Sequence, residues 1–279
     1  MSMTGIQEHN RVVEKNRLDW NEYAEKWSKY NHQEQRLRPI FENPAKAFHQ
    51  TTWEIMQKHI PDLKGKRVCV PSSGDNHAVF AFALLGANVT SCDISENQLK
   101  NAKIVAVREG LGDAINFICA DTMKLDGIPD GEYDFVYTSN GVHVWLNDLP
   151  SMYRNVHRVL KPGGLNIVYE IHPYLRPFNQ DLKLIKPYDA TGPFEGEKTV
   201  TFHWRLQDIL NAMMAAGMHL EHMEEMFDEK NYEQPFFLKT EDIVNGVTVT
   251  KEEVDRMYDW RENPYMGLPS WLCMVGRKS

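Results

Sequence analysis

Residues 67–95 read RVCVPSSGDNHAVFAFALLGANVTSCDIS. This segment passes from an apolar run through a loop of small residues into an apolar helical pattern, and then into a second apolar run. Short apolar strands separated by helices are typical of βαβ units, in which parallel strands are covered on both faces. We therefore predict strands over Arg67–Pro71 and Asn88–Cys92. The helix between them ends at Gly86.

The same alternation continues towards the C-terminus. Ser95 is placed as the N-cap of a helix that begins at Glu96. Later apolar runs predict strands at Ala114–Cys119, Tyr133–Thr138, Leu165–Ile171, Met218–Met226 and Trp271–Val275. The fold class that follows is α/β: a Rossmann-like three-layer α/β/α sandwich around a mostly parallel seven-stranded sheet. The late pair of strands predicts one antiparallel edge strand.

Two parts of the chain lie outside this alternation. Residues 1–60 are polar and helical, and we predict that they form an N-terminal cap on a domain spanning 61–279. Four aromatic residues of the cap fall on one helical stripe: Trp20, Tyr23, Trp27 and Tyr30. The stretch from about 173 to 200 is rich in proline and has no period, so it predicts a loop insertion or lid.

Charge and hydropathy restrict the classes of protein to consider. The net charge of -8 argues against a nucleic-acid-binding protein, which normally presents a basic face. The first residues are polar, and no apolar run approaches the roughly 20 residues of a membrane span. We therefore expect a cytoplasmic protein that is a monomer or homodimer and contacts neither membrane nor nucleic acid.

The loop after the first strand and the acid after the second strand predict a ligand site. Ligands of open α/β sheets bind beyond the carboxyl ends of the strands, where the strand order reverses. Small residues in the loop Pro71–Asn76 let the backbone approach a ligand at a helix N-terminus. Asp93 follows Gly74 by 19 residues, the spacing at which an acidic side chain accepts hydrogen bonds from a ribose diol. Together they indicate a nucleoside-containing ligand.

Two further strand ends add polar groups to this predicted site. Asp121 follows the third strand and can accept a hydrogen bond from an exocyclic amine such as that of adenine. Asn140 and His143 follow the fourth strand, with Trp145 close behind. These positions suit the reactive end of a cofactor.

The order of these motifs resembles class I S-adenosylmethionine-dependent methyltransferases, in particular the small-molecule enzymes of the ubiquinone-biosynthesis-like, type 11 group. Arg158–Gly164, read as RVLKPGG, carries the most specific likeness, and Asp19–Ala24 is similar to the cap helix of that family. The family usually has an acidic residue, then an apolar residue, and then GxGxG in the first loop. Here Val70 occupies the acidic position, and Ser72, Gly74 and Asn76 occupy the glycine positions.

The resemblance implies S-adenosyl-L-methionine as cofactor, with Asp93 on its ribose and Asp121 on its adenine. The cofactor residues that we predict are Tyr23, Trp27, Ser72, Ser73, Gly74, Asn76, Asp93, Ile94, Gln98, Asp121, Thr122, Met123 and Asn140. The predicted function is methyl transfer to an oxygen, nitrogen or carbon atom of a small molecule by in-line displacement. Candidate general bases are His143, His172 and His203, because histidine titrates near neutral pH.

Two other classes of function stay open. A nicotinamide-dependent Rossmann oxidoreductase would bind a similar nucleoside, although the first loop lacks G-x-G-x-x-G. A non-catalytic protein that senses S-adenosylmethionine would share the site but transfer nothing. The clustered His and Glu residues near Glu221 alternate between strand faces, so we predict no metal site.

Overall fold

The computed structural model describes residues 3–179, 181–232, 242 and 245–279. The helices of this part are α1 (Met3–Asn31), α2 (Glu34–Glu42), α3 (Gln50–His59), α4 (His77–Leu84), α5 (Glu96–Arg108), α6 (Leu149–Val159), α7 (Leu206–Ala215) and α8 (Lys251–Met257). Its strands are β1 (Arg67–Pro71), β2 (Asn88–Asp93), β3 (Ile115–Cys119), β4 (Tyr133–Ser139), β5 (Leu160–Ile171), β6 (Phe194–Glu195), β7 (Val200–Thr201), β8 (Met218–Met226) and β9 (Trp271–Lys278).

The central sheet has seven strands in the order β3-β2-β1-β4-β5-β9-β8. The first five strands along the chain pair in parallel. Strand β9 runs antiparallel to both of its neighbours, β5 and β8. The predicted fold class is confirmed, with the antiparallel strand one place in from the edge that β8 forms. The strand order reverses between β1 and β4, so the loops that follow these two strands diverge and open a crevice.

Helices cover both faces of the sheet, which explains why central strands such as β1 and β4 are buried along most of their length. On one face Phe80 and Phe82 of α4 pack with Tyr137 of β4 in a core that also includes residues of α2, α3 and α5. On the other face Leu149 and Tyr153 of α6 belong to a second core shared with α7. Two buried interfaces on one sheet give the three layers.

The N-terminal part is helical but does not pack as one unit. The long helix α1 contacts α5 at the sheet edge, where the Asn97 side chain donates to the Asn21 carbonyl (3.1 Å). In contrast, Leu37 of α2 and Met56 of α3 are fully buried in the main core. The division at residue 60 stays a prediction, and the packing of α2 and α3 in the main core distinguishes them from α1.

The RVLKPGG segment differs from its predicted form. Strand β5 begins at Leu160 rather than at Leu165, so the segment enters the sheet directly after α6. A Cβ atom on Gly164 would lie 2.9 Å from the Lys161 carbonyl oxygen, which explains the glycine. The Arg158 guanidinium donates to the carbonyls of Leu125 (3.1 Å) and Ile128 (3.0 Å). This motif therefore braces the sheet and the β3–β4 connection.

The proline-rich stretch between β5 and α7 is mostly irregular in its described residues, and its role as an insertion or lid stays a prediction. It contains a short 3₁₀ turn, Pro173–Leu175, and the two-stranded β6–β7 ribbon. Within the described ranges, no helix combines the length and the apolar character needed to span a bilayer.

Candidate functional site

A cavity of about 740 Å³ lies beyond the carboxyl ends of the parallel strands. Its walls are the loops after β1 to β5, and α1 and α2 close over it. This volume is within the range of small-molecule and cofactor sites. Every predicted cofactor residue except Tyr23 lines the cavity: Trp27, Ser72, Ser73, Gly74, Asn76, Asp93, Ile94, Gln98, Asp121, Thr122, Met123 and Asn140.

The first loop forms a tight turn although only one of its three usual glycines is present. Gly74 and Ser72 both have φ of +48°, the left-handed region that favours glycine. The Ser72 hydroxyl lies 2.7 Å from the Thr122 hydroxyl, a hydrogen bond that holds this strained position. Asn76 has ordinary backbone angles and caps α4, because its side-chain oxygen accepts from the Ala78 N–H (2.9 Å). Side-chain bonds thus replace the conformational freedom of the two missing glycines.

Asp93 lies at the end of β2 directly against this loop. Its Oδ2 accepts a hydrogen bond from the Gly74 N–H (2.7 Å), and its Oδ1 accepts from the Ser95 N–H (2.8 Å). Each carboxylate oxygen keeps a second lone pair for a ligand. Burial raises the pKa of the Asp93 carboxyl to about 6, although the backbone N–H groups oppose this effect. The ionised carboxylate is therefore present at pH 7 but costly to keep without donors.

Gln98 adds an acceptor beside Asp93. The residue is 2% exposed, and its side-chain Oε1 has no hydrogen-bond partner among the described residues. That oxygen would be 3.9 Å from a Cβ placed on Gly74. A buried acceptor without a donor is unfavourable, so this oxygen indicates that a ligand supplies one.

Asp121 also lines the cavity but already has two partners. Its Oδ1 accepts from the Met123 N–H (2.9 Å), and its Oδ2 lies 2.8 Å from Nε2 of His9 in α1. The other ring nitrogen of His9 lies 3.0 Å from Asn147 Oδ1. The predicted adenine acid is therefore also the point at which α1 is attached to the strand ends.

Some residues of the aromatic stripe of α1 line the cavity, and one packs behind them. Trp20, Trp27 and Tyr30 line the cavity, and Trp20 meets Trp145 edge to face at 5.2 Å between ring centroids. Tyr23 is not among the described residues that line it, contrary to expectation. Its ring packs between those of Trp20 (6.1 Å) and Trp27 (6.2 Å), so it supports the two indoles.

His143 is buried behind the cavity wall. Its Nε2 lies 3.0 Å from the Tyr153 hydroxyl, and its Nδ1 lies 3.3 Å from Glu170 Oε2. Burial lowers the pKa of His143, against the effect of the Glu170 charge. The ring is 4% exposed and is not among the described cavity-lining groups. Its predicted role as a base is not supported by this geometry.

His172 and His203 also lie outside the described cavity wall. His172 Nε2 is 2.8 Å from Glu225 Oε1, and its Nδ1 accepts from the Tyr174 N–H at 3.4 Å, so both nitrogens are engaged. His203 packs on the Phe194 ring at 4.6 Å, and burial lowers its pKa to about 4. The prediction that one of the three histidines is a general base thus stays a prediction.

Several cavity residues were not predicted. Asp75 is fully buried and its Oδ1 lies 2.6 Å from His32 Nε2. Arg36 donates to the Tyr30 hydroxyl (2.6 Å) and also lines the cavity. Arg176, which belongs to the insertion, lines the cavity as well. The sequence contains no signal for these contacts, because they join segments that no shared motif or period relates.

The parallel-sheet topology and the cavity at its switch point define the fold of S-adenosylmethionine-dependent methyltransferases. A structure of such an enzyme from Mesorhizobium loti aligns with a TM-score of 0.59 at 22% identity, over 81% of this chain and 97% of that one. A sterol 24-C-methyltransferase of Pneumocystis carinii is 33% identical over 207 residues, 70% of this chain and 51% of that protein. A second, from Gibberella zeae, is 33% identical over 141 residues, 50% of this chain and 36% of that protein.

Residues 71–168 match the family described as a methyltransferase domain. This match confirms, for that part of the chain, the resemblance inferred from the sequence motifs. The chain spans about a third to a half of the length of these two sterol methyltransferases.

Proposed function

We propose that this protein binds S-adenosylmethionine in the cavity and transfers its methyl group to a small molecule. The observation that carries the proposal is the position of Asp93. This acid lines the cavity at the end of β2, touches the first loop through the Gly74 N–H, and belongs to a methyltransferase domain. Its raised pKa implies that hydroxyl donors from a ribose would stabilise the charged form.

The residues present fit each portion of this cofactor. Asp93 would accept from the ribose hydroxyls, and Gln98 Oε1 offers the orphaned acceptor beside it. Asp121 would accept from the adenine amine with the lone pairs that His9 leaves. At the first loop, Arg36 and Lys46 add positive charge suited to the carboxylate of the amino-acid portion.

When bound, the cofactor supplies a sulfonium methyl group that is already activated for displacement. The residues of the chain have to orient the acceptor and exclude water, which together account for several kcal/mol of a barrier. The Trp20–Trp145 pair closes the cavity towards solvent and offers π faces near a cationic centre. Asn140, with φ of +65°, holds the turn after β4 against the cavity. An acceptor that must lose a proton would in addition need a base, for which the three histidines remain candidates.

Calorimetry with S-adenosylhomocysteine, S-adenosylmethionine and NADH separates the proposal from its alternatives. We expect one-to-one binding of both adenosyl compounds and none of NADH. Tight binding of NADH alone would instead make the protein an oxidoreductase. Incubation with tritiated S-adenosylmethionine and a metabolite extract should then label a small molecule. Binding without transfer to any component of the extract would leave a sensor.

The matched variants are Asp93→Asn, which alters the cavity wall, and Asp113→Asn, which removes the same charge from an exposed loop. Only the first should weaken binding of the adenosyl compounds. Equal affinities for the two variants would remove Asp93 from the site.

A further inference from the structure

The insertion between β5 and α7 places basic side chains at one end of the cavity. Arg176 follows the turn Pro173–Leu175, lines the cavity, and has a side chain that is 22% exposed. Its Nη2 would lie 3.9 Å from a Cβ on Gly141, in the loop after β4. Arg36, the other arginine that lines the cavity within the described residues, donates to the Tyr30 hydroxyl at the C-terminal end of α1.

Two further basic groups lie behind Arg176. The Lys186 ammonium is 5.2 Å from the centre of the Phe194 ring, and the His203 ring packs on the same residue at 4.6 Å. Burial and the charge of Arg176 lower the pKa of each, and the pKa of His203 falls to about 4. The His203 ring is therefore uncharged at neutral pH, whereas the Lys186 ammonium and the Arg176 guanidinium are like charges that a bound anion would stabilise.

Glu170 is an acidic group near Arg176 and offsets part of the guanidinium charge. Glu170 Oε1 is 3.8 Å from Arg176 Nη2, an ion pair without a direct hydrogen bond, and the Glu170 carboxylate also accepts from the N–H groups of Ile171 (2.9 Å) and His143 (3.0 Å). Glu170 is also only 2% exposed, so it is shielded from the cavity. Asp189 acts on Lys186, but it is exposed and lies outside the described cavity wall. The guanidinium is therefore the charged group that this end presents to a ligand.

The cavity that Arg176 lines also has apolar and aromatic groups. Trp145, Trp271, Ile171 and Val144 are among them, and Ile171 Cδ1 would lie 3.4 Å from the same Gly141 Cβ that Arg176 approaches. A planar guanidinium in apolar surroundings is suited to a bidentate hydrogen-bonded pair with a carboxylate or phosphate. Trp side chains offer faces on which a flat or apolar molecular body can pack.

We infer that the methyl acceptor is a small apolar or aromatic molecule carrying an oxyanion, and that Arg176 binds this oxyanion. That the bound molecule is the methyl acceptor rests on the proposed function. The anion site itself is inferred from the residues described above and does not depend on that function. The insertion that supplies Arg176 and Lys186 lies outside the matched methyltransferase domain, as expected of a segment that sets substrate choice.

The test uses three small probes on the full chain: benzoate, phenyl phosphate and the neutral benzamide. Their affinities are measured by calorimetry, with and without S-adenosylhomocysteine. We expect at least one of the two anions to bind with an affinity at least tenfold higher than that of benzamide. The anion that binds more tightly shows whether the site prefers a carboxylate or a phosphate. The inference is overturned if benzamide binds as well as both anions, or if neither anion binds.

Variants then assign the anion to Arg176. Arg176→Met should weaken anion binding at least tenfold and leave benzamide unchanged, because it removes the charge and keeps the apolar stem. Lys183→Met removes a positive charge from an exposed position of the same insertion and should change nothing. Arg176→Lys should lose part of the affinity for the anion, and this variant provides the test if Arg176→Met fails to fold. Unchanged anion binding in the folded Arg176 variants contradicts the inference.

The same titrations keep the two proposals apart. Arg176→Met should bind S-adenosylhomocysteine within about twofold of the unaltered protein, since Arg176 is not one of the predicted cofactor residues. A large loss would place Arg176 in the cofactor site and overturn the inference. If the unaltered protein binds no S-adenosylhomocysteine, the proposed function fails, whereas the anion result obtained without it still stands.

Discussion

Asp93→Asn is the substitution that separates binding from folding most clearly. The side chain keeps its shape but loses its charge, at a position that is 9% exposed. Burial raises the pKa of this carboxyl from 3.8 to about 6. At pH 7 that shift corresponds to about 3 kcal/mol of unfavourable free energy stored in the folded protein. The variant is relieved of this cost.

The amide introduces a cost of its own. The two carboxylate oxygens of Asp93 accept from the N–H groups of Gly74 and Ser95, and an amide can satisfy only one of them. The unsatisfied N–H costs about 1–3 kcal/mol. The two effects oppose each other, so we expect the free energy of unfolding to change by less than about 2 kcal/mol.

Binding should respond much more strongly than folding. A carboxylate that accepts from a ribose hydroxyl contributes about 1.5–3 kcal/mol. Its loss weakens the affinity for S-adenosylhomocysteine roughly ten- to a hundredfold. Calorimetry measures the affinity and urea unfolding measures stability, with Asp113→Asn as control. Unchanged affinity in the Asp93→Asn protein would refute the reasoning, and so would a fall in stability large enough to account for the lost binding.

Three further outcomes are expected. The Asp93 carboxyl has a raised pKa of about 6 and loses its charge between pH 7 and pH 5. The affinity of the unaltered protein for S-adenosylhomocysteine should therefore fall about tenfold over this range, whereas the Asp93→Asn protein should show no such fall. The free energy of unfolding should respond to pH in the opposite direction to the binding affinity. A raised pKa in the folded protein favours folding at low pH, so the contribution of Asp93 to stability is lost as the pH rises from about 4 to above 6. His143→Ala should lower the free energy of unfolding by about 2–3 kcal/mol, because it leaves the buried Tyr153 hydroxyl without its partner, and should leave the calorimetric affinity for S-adenosylhomocysteine unchanged. Asn21→Ala removes the three hydrogen bonds that the Asn21 side chain makes with Ser95, Glu96 and Asn97 at the start of α5, so hydrogen exchange should become faster in α1 while that of β1 and β4 stays the same.

The sheet and the strand-end loops could be predicted because their signals are local. Apolar runs of five or six residues between helical patterns determine the βαβ units, and Ser95 caps α5 as its sequence position implied. Asp93 followed from its spacing to Gly74, because Asp93 ends β2 and Gly74 lies in the loop after the neighbouring parallel strand β1. Their contact is a direct consequence of the pairing of β1 with β2.

The remainder of the site depends on contacts over long sequence separations. His9 and Asp121 are 112 residues apart, and nothing in either neighbourhood marks the other. Side-chain direction was equally inaccessible, since Tyr23 shares a helical stripe with Trp20 and Trp27 yet supports them instead of facing the cavity. His143 follows β4 at the carboxyl ends of the parallel strands, where the site was predicted. After the turn at Asn140, however, its side chain lies inward against Tyr153.

The central claim is that the cavity holds an adenosine whose ribose is bound by Asp93. A crystal structure of the protein with S-adenosylhomocysteine tests it most directly. We predict both ribose hydroxyls within about 2.5–3.0 Å of the Asp93 carboxylate oxygens and the adenine amine at Asp121. An adenosine bound with its ribose away from Asp93, or S-adenosylhomocysteine absent from the cavity at saturating concentration, would contradict it.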